Sequence, residues 1–551
     1  MDAAPPDDRP AARLLTPRVV DLLDDGRQLT DRWQAWVVTL VISGLAFVIR
    51  LIDIRRPGYL IFDETYYPKD AWTLLHLGYE ASWPDPLKIA NPSIASGTPN
   101  VYATPSLGFT PGAEFVVHPQ LGKWFIALGE WAFGMNSFGW RFPSLVAGTI
   151  MIAATIRLGR RLSRSTLIGG LAGVLLTFDG LSFTMSRIGL LDIFQAALLV
   201  IAVGLAVRDR DWFRHRLADH LRARGLDDLG GQFGPWLWWR PWRLAAGITF
   251  GLACGVKWNS VFVLASFGIL AVLWDRAARN LAGAGRRSWW ALLRDGVPAF
   301  IQLVGVAIPV YLATWTGWLV TQGGWDRQWG AQPASGGSIM ARHHDWLVAH
   351  LGRPLASLLY YHYEIYQFHT GTYMKEQTHT YNANPAGWLL MVRPIGLDAV
   401  NDIKPGVQGC KAVNDTCLRV ISGAGTPVLW WMAAIALVAA LVLWVAGRDL
   451  RVVAPIVAAF STWIPWFKYD DRPVFFFYAI CIIPFTAIVL AIMLGKIIGP
   501  ADGPHRRRNS LIVGGLVSLV VLNFAFMYPI YTDQLLTRHA WLLRMWFPSW
   551  I

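Results

Sequence analysis

Residues 33–67 read WQAWVVTLVISGLAFVIRLIDIRRPGYLIFDETYY, an apolar run followed by a polar and charged end. The run from Trp33 to Asp53 is long enough to cross the ~30 Å hydrocarbon core of a bilayer as a helix. After a short connection the chain reaches the acidic pair Asp63-Glu64. The stretch therefore predicts a membrane-spanning helix that brings two carboxylates to one membrane surface.

The composition of the whole chain agrees with this prediction. Of its 551 residues, 54% are hydrophobic, 13% are aromatic and only 15% are charged, and the mean hydropathy is +0.37. Soluble domains carry about 25% charged residues, so this chain cannot cover a water-facing surface. A disordered chain, collagen and a small disulfide-stapled secreted module are excluded by the same composition.

Further apolar runs predict an all-α polytopic membrane protein with about eleven transmembrane helices. The run 247–274 is longer than one span and contains Lys257, so we interpret it as two spans that meet near Lys257 and Asn259; one long tilted helix is the alternative. Residues 121–134 are short and apolar with Trp and Lys at the edges, which predicts an interfacial helix in the first external loop. After the first span, the remaining spans are predicted near 138–157, 167–185, 190–207, 296–318, 427–447, 452–467, 474–495 and 510–530.

The distribution of Arg and Lys predicts the orientation of a multi-pass protein in the plasma membrane. With the N terminus in the cytoplasm, almost every dense basic cluster falls on the cytoplasmic side, and the C terminus lies outside. The net charge of +13 is explained by these clusters and does not indicate a nucleic-acid partner. The predicted parts are a cytoplasmic segment 1–32, a transmembrane module 33–318 with the catalytic external loop 54–135, a large external loop 319–426 and a transmembrane module 427–551.

Several ionisable residues fall near the predicted outer surface. Such groups cost at least ~2.5–3.5 kcal/mol at membrane depth on insertion scales, so each is a candidate functional residue. A carboxylate pair close to several cations suits a reaction with an anionic lipid, because cations hold a phosphate while a carboxylate accepts a proton. Besides Asp63 and Glu64, the candidates are Arg50, His118, Lys123, Arg141, Arg187, Asp192, Lys257 and Arg393.

Structural roles for the same residues stay open at this point. The acidic pair could cap the N terminus of an interfacial helix. Arg50, Lys123 and Arg141 could each extend to the lipid headgroups. Arg187 and Asp192 share a short outer turn and could form an ion pair that only supports the fold.

Cys410 and Cys417 lie close together in the polar segment GCKAVNDTC. This spacing predicts a disulfide if the large loop faces an oxidising compartment. The other two cysteines fall inside apolar runs and are expected to be core residues. His343-His344 and His350 do not have convincing zinc-ligand spacing, and we expect chemistry without an obligatory metal or other cofactor.

Six stretches follow in order along the chain: IRLIDIRRPGYLIFDETYY (49–67), VVHPQLGKW (116–124), FGWRFPSLVAG (138–148), SRIGLLDIF (186–194), THTYNANPAGWLLMVRPI (378–395) and RPVFFFYAICIIP (472–484). Together they resemble the protein O-mannosyltransferases of the GT-C class of glycosyltransferases. The combination of the acidic pair, His-Pro-x-Leu-Gly-Lys and Arg-x-x-x-x-Asp is specific, although Gln120 replaces a proline of the family pattern. The large loop shows no repeat, so the chain resembles the shorter bacterial branch without the MIR domain of eukaryotic members.

The resemblance implies transfer of mannose from polyprenyl phosphate mannose to Ser or Thr hydroxyls of exported proteins, with inversion. It implies that Asp63 is the general base and that Glu64 orients the acceptor and the surrounding cations. Membrane lipids are further expected partners, and whether the protein export machinery delivers the acceptor is left open. The expected cations for the donor phosphate are Arg50, Arg141, Lys257 and Arg393.

Two other functions stay open. Another GT-C enzyme that moves a different lipid-linked sugar, such as an arabinose derivative, would share the outer carboxylate and the spans. A membrane transporter would use the buried charges as a substrate path. Transporters tend to show an internal repeat with interrupted helices, and the two halves of this sequence show no such similarity.

Overall fold

The computed structural model describes residues 19–24, 31–83, 91–95, 112–447 and 449–551. Most of the predicted cytoplasmic segment 1–32 lies outside these ranges. Residues 84–90 and 96–111 of the predicted external loop 54–135 also lie outside them.

Helices form most of the described chain. In its first half they are α1 (Val19–Asp24), α2 (Arg32–Leu51), α3 (Tyr67–Leu77), α4 (Asn91–Ala95), α5 (Leu121–Phe133), α6 (Ser137–Ser163), α7 (Thr166–Thr177), α8 (Gly180–Met185), α9 (Asp192–Ala223), α10 (Pro241–Val256) and α11 (Ser260–Arg279). In its second half they are α12 (Ala291–Arg294), α13 (Gly296–Phe300), α14 (Val306–Ala313), α15 (Thr316–Val320), α16 (Ile339–Arg342), α17 (His344–Thr370), α18 (Thr372–Glu376), α19 (Pro427–Val445), α20 (Val453–Trp463), α21 (Ile483–Ile498), α22 (Arg506–Tyr531) and α23 (Arg538–Leu542).

Several of these helices are long and apolar enough to cross a membrane, which confirms a polytopic helical protein. Two shorter apolar helices, α7 and α21, accompany them. The predicted number of about eleven spans stays a prediction. Within the described residues, six stretches meet both criteria: Arg32–Leu51, Ser137–Ser163, Ser260–Ala313, Pro427–Val445, Leu450–Lys468 and Arg506–Tyr531.

The centre of the bundle is formed by α9 and α21. The first half of α9 packs between α6, α10 and α11, and α21 packs against α7, α19 and α20. Residues along α21 from Ile483 to Ile492 are almost completely buried. A helix that is apolar on all sides is expected in such a position, because each face meets another helix.

The chain breaks at Lys257, as expected for two spans that meet there. Helix α10 ends at Val256 and α11 begins at Ser260, with Lys257 in an extended conformation between them. Three glycines four residues apart let α10 approach the stretch 302–314 closely: a Cβ on Gly251 would lie 2.8 Å from the Ala307 carbonyl oxygen. Small residues permit such close helix packing, which fixes the position of the junction.

A small antiparallel sheet, with two of its strands in the large loop 319–426, was not predicted. Its strands are β1 (Ile395–Ile403), β2 (Cys417–Gly423) and β3 (Leu536–Thr537), in the order β1-β2-β3. Cys417 pairs with Ile403 in the sheet and is joined to Cys410 by a disulfide. The sheet therefore ties the large loop to the C-terminal segment.

Candidate active site

A cavity of about 760 Å³ brings together residues from five separate parts of the chain. Its wall is formed by the turn after α2, the start of α5, the α10–α11 junction, the end of α17 and the segment before α21. The volume is in the range typical of small-molecule sites. Its ionisable lining residues are Asp63, Asp70, Glu114, His118, Lys123, Lys257, His369, His379 and Arg472, together with several tyrosines.

The turn Phe62–Thr65 places the Asp63 carboxylate in this cavity. Phe62 has a positive φ of 47°, a conformation that bulky residues rarely adopt. Its ring makes edge-to-face contacts with Phe475 and Phe477, at centroid distances of 6.2 and 5.7 Å, and these contacts hold the turn. The Tyr67 hydroxyl donates to the Asp63 carboxylate at 3.5 Å.

The surroundings of Asp63 shift its protonation towards neutral pH. Burial raises the pKa of Asp63 from its ordinary value of 3.8 to about 6, the Lys257 ammonium opposes the rise and the Asp192 carboxylate reinforces it. A carboxylate with a pKa close to the working pH is suited to general base catalysis. Asp63 is therefore ionised at pH 7 and still basic enough to accept a proton.

Glu64 points away from the cavity and is fully buried. Its two oxygens accept hydrogen bonds from the Arg141 guanidinium at 2.8 and 2.7 Å and from the Gly189 N–H at 2.8 Å. Arg141 also donates to three carbonyl oxygens of residues 54–59. The structure thus does not place Glu64 or Arg141 against a substrate, because both are saturated by contacts that fix the backbone on either side of Asp63.

Lys257 reaches the cavity and is held by Asp192, the first residue of α9. The Lys257 ammonium donates to both carboxylate oxygens of Asp192, at 2.9 and 2.8 Å, and lies 5.1 Å from the centre of the Tyr478 ring. The suggested Arg187–Asp192 ion pair is wrong, because Lys257 occupies the Asp192 carboxylate.

Arg50 and Arg187 lie behind the cavity and cap backbone carbonyl groups. Arg187 donates to the carbonyl oxygens of residues 50, 52 and 53 at the end of α2. Arg50 donates to the carbonyl oxygens of Leu176 and Thr177. Cations at helix C termini are stabilising in this way, and neither guanidinium is in the cavity lining.

Arg393 is also outside the cavity lining. It donates to the carbonyl oxygens of Ile551 at 3.0 Å and Thr380 at 2.9 Å, and to that of Ser549. The arginine therefore joins the large loop to the C-terminal residues. Of the four cations expected to hold a donor phosphate, only Lys257 lies in the cavity wall.

Headgroup contact is not the role of Arg50, Lys123 or Arg141, which are all buried to at least 99%. The Lys123 ammonium donates to Glu80 at 2.5 Å and lies 3.7 Å from Asp70. Gln120, which departs from the family pattern, donates to the second oxygen of Glu80 at 2.7 Å. Lys123 is thus neutralised by carboxylates at the edge of the cavity.

The sequence did not single out Arg472 and His369, which also line the cavity, and Arg472 adds a second cation to Lys257. An Arg472 N–H donates to His369 Nδ1 at 3.3 Å, while His369 Nε2 donates to the Val117 carbonyl oxygen at 3.0 Å. Burial lowers the pKa of His369 to about 4, which keeps Nδ1 available as an acceptor. The buried Nε of Arg472 has no hydrogen-bond partner in the described chain.

His118 stacks on His369 with a centroid distance of 5.6 Å and an interplanar angle of 27°. Burial lowers the pKa of His118 well below its ordinary range, and the Lys257 charge acts in the same direction. The stacked pair is therefore neutral at pH 7. Among the described residues, no group of three or more His, Cys, Asp or Glu is arranged to hold a metal ion.

The chain is similar to known protein mannosyltransferases over nearly its whole length. Residues 117–316 match the family described as dolichyl-phosphate-mannose-protein mannosyltransferase. A polyprenol-phosphate-mannose–protein mannosyltransferase of Mycobacterium tuberculosis is 34% identical over 526 residues, which cover 94% of this chain and 92% of the relative. The protein of the same name from Corynebacterium glutamicum is 31% identical over 518 residues, with coverages of 94% and 93%.

The fold is similar to a solved structure of the S. cerevisiae protein O-mannosyltransferase complex bound to the sugar donor. The TM-score is 0.64 at 12% sequence identity, and the match covers 97% of this chain and 94% of the yeast chain. The helical bundle with its cavity at one end thus has the GT-C fold of membrane glycosyltransferases. With relatives above 30% identity along almost its full length, the chain belongs to the protein mannosyltransferase family.

Proposed function

We propose that this protein transfers mannose from a polyprenyl phosphate mannose donor to Ser or Thr hydroxyls of exported proteins, with inversion at the anomeric carbon. The observation that carries the proposal is the position of Asp63, whose carboxylate lies in a cavity that also contains Lys257 and Arg472. The names of the mycobacterial and corynebacterial relatives support both the donor and the protein acceptor.

In the proposed reaction, Asp63 accepts the proton of the acceptor hydroxyl as its oxygen attacks the anomeric carbon. The bond between that carbon and the phosphate oxygen breaks, and its electrons stay on the polyprenyl phosphate. A neutral hydroxyl is a poor nucleophile, so a positioned base should contribute about 10²–10⁴ in rate. Glu64 supports this step indirectly, because its bonds to Arg141 hold the turn that carries Asp63.

The leaving phosphate needs positive charge rather than a general acid, because it is stable as an anion. Arg472 suits this role because neutral His369 is its only side-chain hydrogen-bond partner among the described residues and because its Nε has no partner. Lys257 supplies a second cation whose charge is partly balanced by Asp192. The two cations and Asp63 line the same cavity. With the donor phosphate at the cations, the sugar would lie between the phosphate and Asp63.

The lipid chain of the donor has a route out of the cavity on the side of α11. Val261 and Phe262 line the cavity at the start of α11 and are 47% and 36% exposed. An apolar exit at the start of a membrane-spanning helix fits a polyprenyl tail. The wall formed by the end of α17 and the segment that follows it is available to an acceptor polypeptide.

We also infer that the cavity faces the outside of the plasma membrane and that the N terminus lies in the cytoplasm. Arg160 and Arg161 at the end of α6, together with Lys496 and Arg506, lie at the other end of the bundle. Basic clusters favour the cytoplasmic side.

Membranes that contain the protein test the proposed function directly. They should form a mannosylated peptide when given polyprenyl phosphate mannose and a Thr-rich peptide, as measured by mass spectrometry of the peptide. Matched membranes with Asp63→Asn protein at equal abundance are the control. If the wild-type protein transfers another lipid-linked sugar and forms no mannosylated peptide, the proposed donor is wrong.

A further inference from the structure

A second cavity lies at the far end of the bundle from Asp63. It has a volume of about 410 Å³ and is formed by the start of α7, the end of α21, the start of α22 and the turn before α20. Helix α6 separates the two sites: Arg141 near its start bonds to Glu64, whereas its end at Ser163 leads directly into α7. A helix of this length extends ~40 Å, so the second cavity belongs to the opposite membrane surface.

Positive charge predominates in this cavity. Its charged lining residues are Arg451, Lys496 and Arg506. Asp449 accepts hydrogen bonds from Arg451 at 2.9 and 2.7 Å and lies 2.8 Å from the Lys496 ammonium. One carboxylate is therefore shared by two cations, which leaves an excess of positive charge beside it.

Arg506 has no carboxylate partner among the residues that the structure describes. One of its N–H groups donates to the Gly499 carbonyl oxygen at 2.9 Å, and the guanidinium otherwise faces the cavity. This contact orients the side chain without neutralising it. Arg506 is thus a held cation with N–H groups available to a ligand.

The remaining wall of the cavity is apolar. Leu167, Ile168 and Ile498 line it beside the cations, and a Cβ on Gly495 would collide with Ile168, which shows how closely α21 and α7 approach there. A cationic rim next to apolar side chains between spanning helices matches an amphiphile with an anionic head. Phosphate groups are good partners for paired guanidinium and ammonium donors.

We propose that the cavity formed by Arg451, Lys496 and Arg506 is a binding site for an anionic phosphate group. The phosphate comes either from an anionic lipid headgroup or from a soluble phosphate, and both sources offer the same chemistry to the three cations. The site is separate from sugar transfer, so its test does not depend on the proposed function.

The experiment compares two doubly substituted full-length proteins that lose the same charge. Lys496→Gln with Arg506→Gln removes two cavity cations. Arg507→Gln with Arg508→Gln removes the next two arginines of α22, which are exposed and do not line the cavity. Binding of phosphatidylglycerol, phosphatidylcholine and inorganic phosphate to detergent-purified protein is measured by native mass spectrometry and by titration.

The cavity variant should bind phosphatidylglycerol about twenty-five-fold more weakly than wild type, since each of the two cations near an anionic headgroup contributes about fivefold. The exposed-arginine variant should bind within about twofold of wild type. A cavity-dependent affinity for inorganic phosphate equal to that for the lipid would support the site and assign it to soluble phosphate. Preference for phosphatidylglycerol over phosphatidylcholine and phosphate would assign it to lipid.

Equal losses in both double variants would overturn the proposal, because they would indicate binding to general surface charge. Unchanged binding in the cavity variant would overturn it as well. The variant Lys496→Arg with Arg506→Lys keeps both charges and should keep most of the affinity. A wild-type midpoint of thermal unfolding shows that this variant is folded. If it then loses binding to the same extent as the Gln variant, the positive charges are not responsible for binding.

Discussion

The Lys257 ammonium donates to both carboxylate oxygens of Asp192, at 2.9 and 2.8 Å. Lys257 sits in the break between α10 and α11, while Asp192 begins α9. The pair thus joins the central helix to a helix junction and fixes a cation in the same cavity as Asp63. Lys257 lowers the pKa of the Asp63 carboxyl group, whereas Asp192 raises it.

The wild-type enzyme should lose activity in acid. Because Asp63 has a pKa of about 6 and must be ionised to accept a proton, kcat/KM should rise with pH and reach half its plateau near pH 6. At pH 5 it should be about tenfold below the plateau. The measurement is kcat/KM for mannosyl transfer between pH 4.5 and 8, and a flat profile over this range would contradict the assignment.

The pH at which kcat/KM reaches half its plateau, the midpoint of the acid limb of the profile, should change when either member of the Lys257–Asp192 pair is substituted. The two substitutions should shift it in opposite directions. Lys257→Met removes a charge that lowers the pKa of Asp63, so the limb should move to higher pH. Asp192→Asn removes a charge that raises it, so the limb should move to lower pH. Each displacement should be about half a pH unit or more. Two displacements of the same sign would show that the limb reports another group.

Arg472 should contribute to donor binding and to stabilisation of the leaving phosphate. Arg472→Gln should lower kcat/KM about 10–100-fold, as expected for loss of one charge-assisted contact, and Arg472→Lys should recover part of it. Arg342→Gln, at an exposed arginine that does not line the cavity, is the matched control and should have no effect. Steady-state kinetics with varied donor would measure this, and equal effects of the two Gln variants would contradict a specific role.

Glu64→Gln should destabilise the fold more than it affects chemistry. It leaves the fully buried Arg141 without its carboxylate, and breaking a buried ion pair costs about 3–5 kcal/mol. The midpoint of thermal unfolding in detergent should fall markedly. Asp219→Asn breaks an exposed pair with Arg222 and should change stability by less than about 1 kcal/mol. A Glu64→Gln protein with a normal midpoint and no activity would instead favour contact with substrate.

The sequence predicted the membrane-spanning architecture and four residues of the cavity wall: Asp63, His118, Lys123 and Lys257. Their charge or polarity is conspicuous beside apolar runs, and energetic cost alone identifies such residues. The same criterion also selected Arg50, Arg187 and Arg393, whose guanidinium groups meet backbone carbonyl oxygens. The sequence shows that a cation lies near the membrane surface, but it does not show which groups accept its hydrogen bonds. Those acceptors depend on how the helix ends pack together.

Arg472 and His369 were missed for the opposite reason. Both occur in polar segments between the predicted spans, where a charged or titratable side chain is ordinary, and they are 103 residues apart. The third strand of the small sheet was missed because Leu536 and Thr537 pair with β2 from the far end of the chain. Such long-range pairing leaves no local pattern.

The most direct test of the proposed mechanism is the initial rate of mannosyl transfer by Asp63→Asn protein. Asn keeps the size and the hydrogen-bonding capacity of the side chain but cannot accept the proton. The rate should fall by about 10²–10⁴, with unchanged abundance and unfolding midpoint, while Asp53→Asn at an exposed neighbouring position should keep the wild-type rate. A near-normal rate for Asp63→Asn would show that Asp63 is not the base.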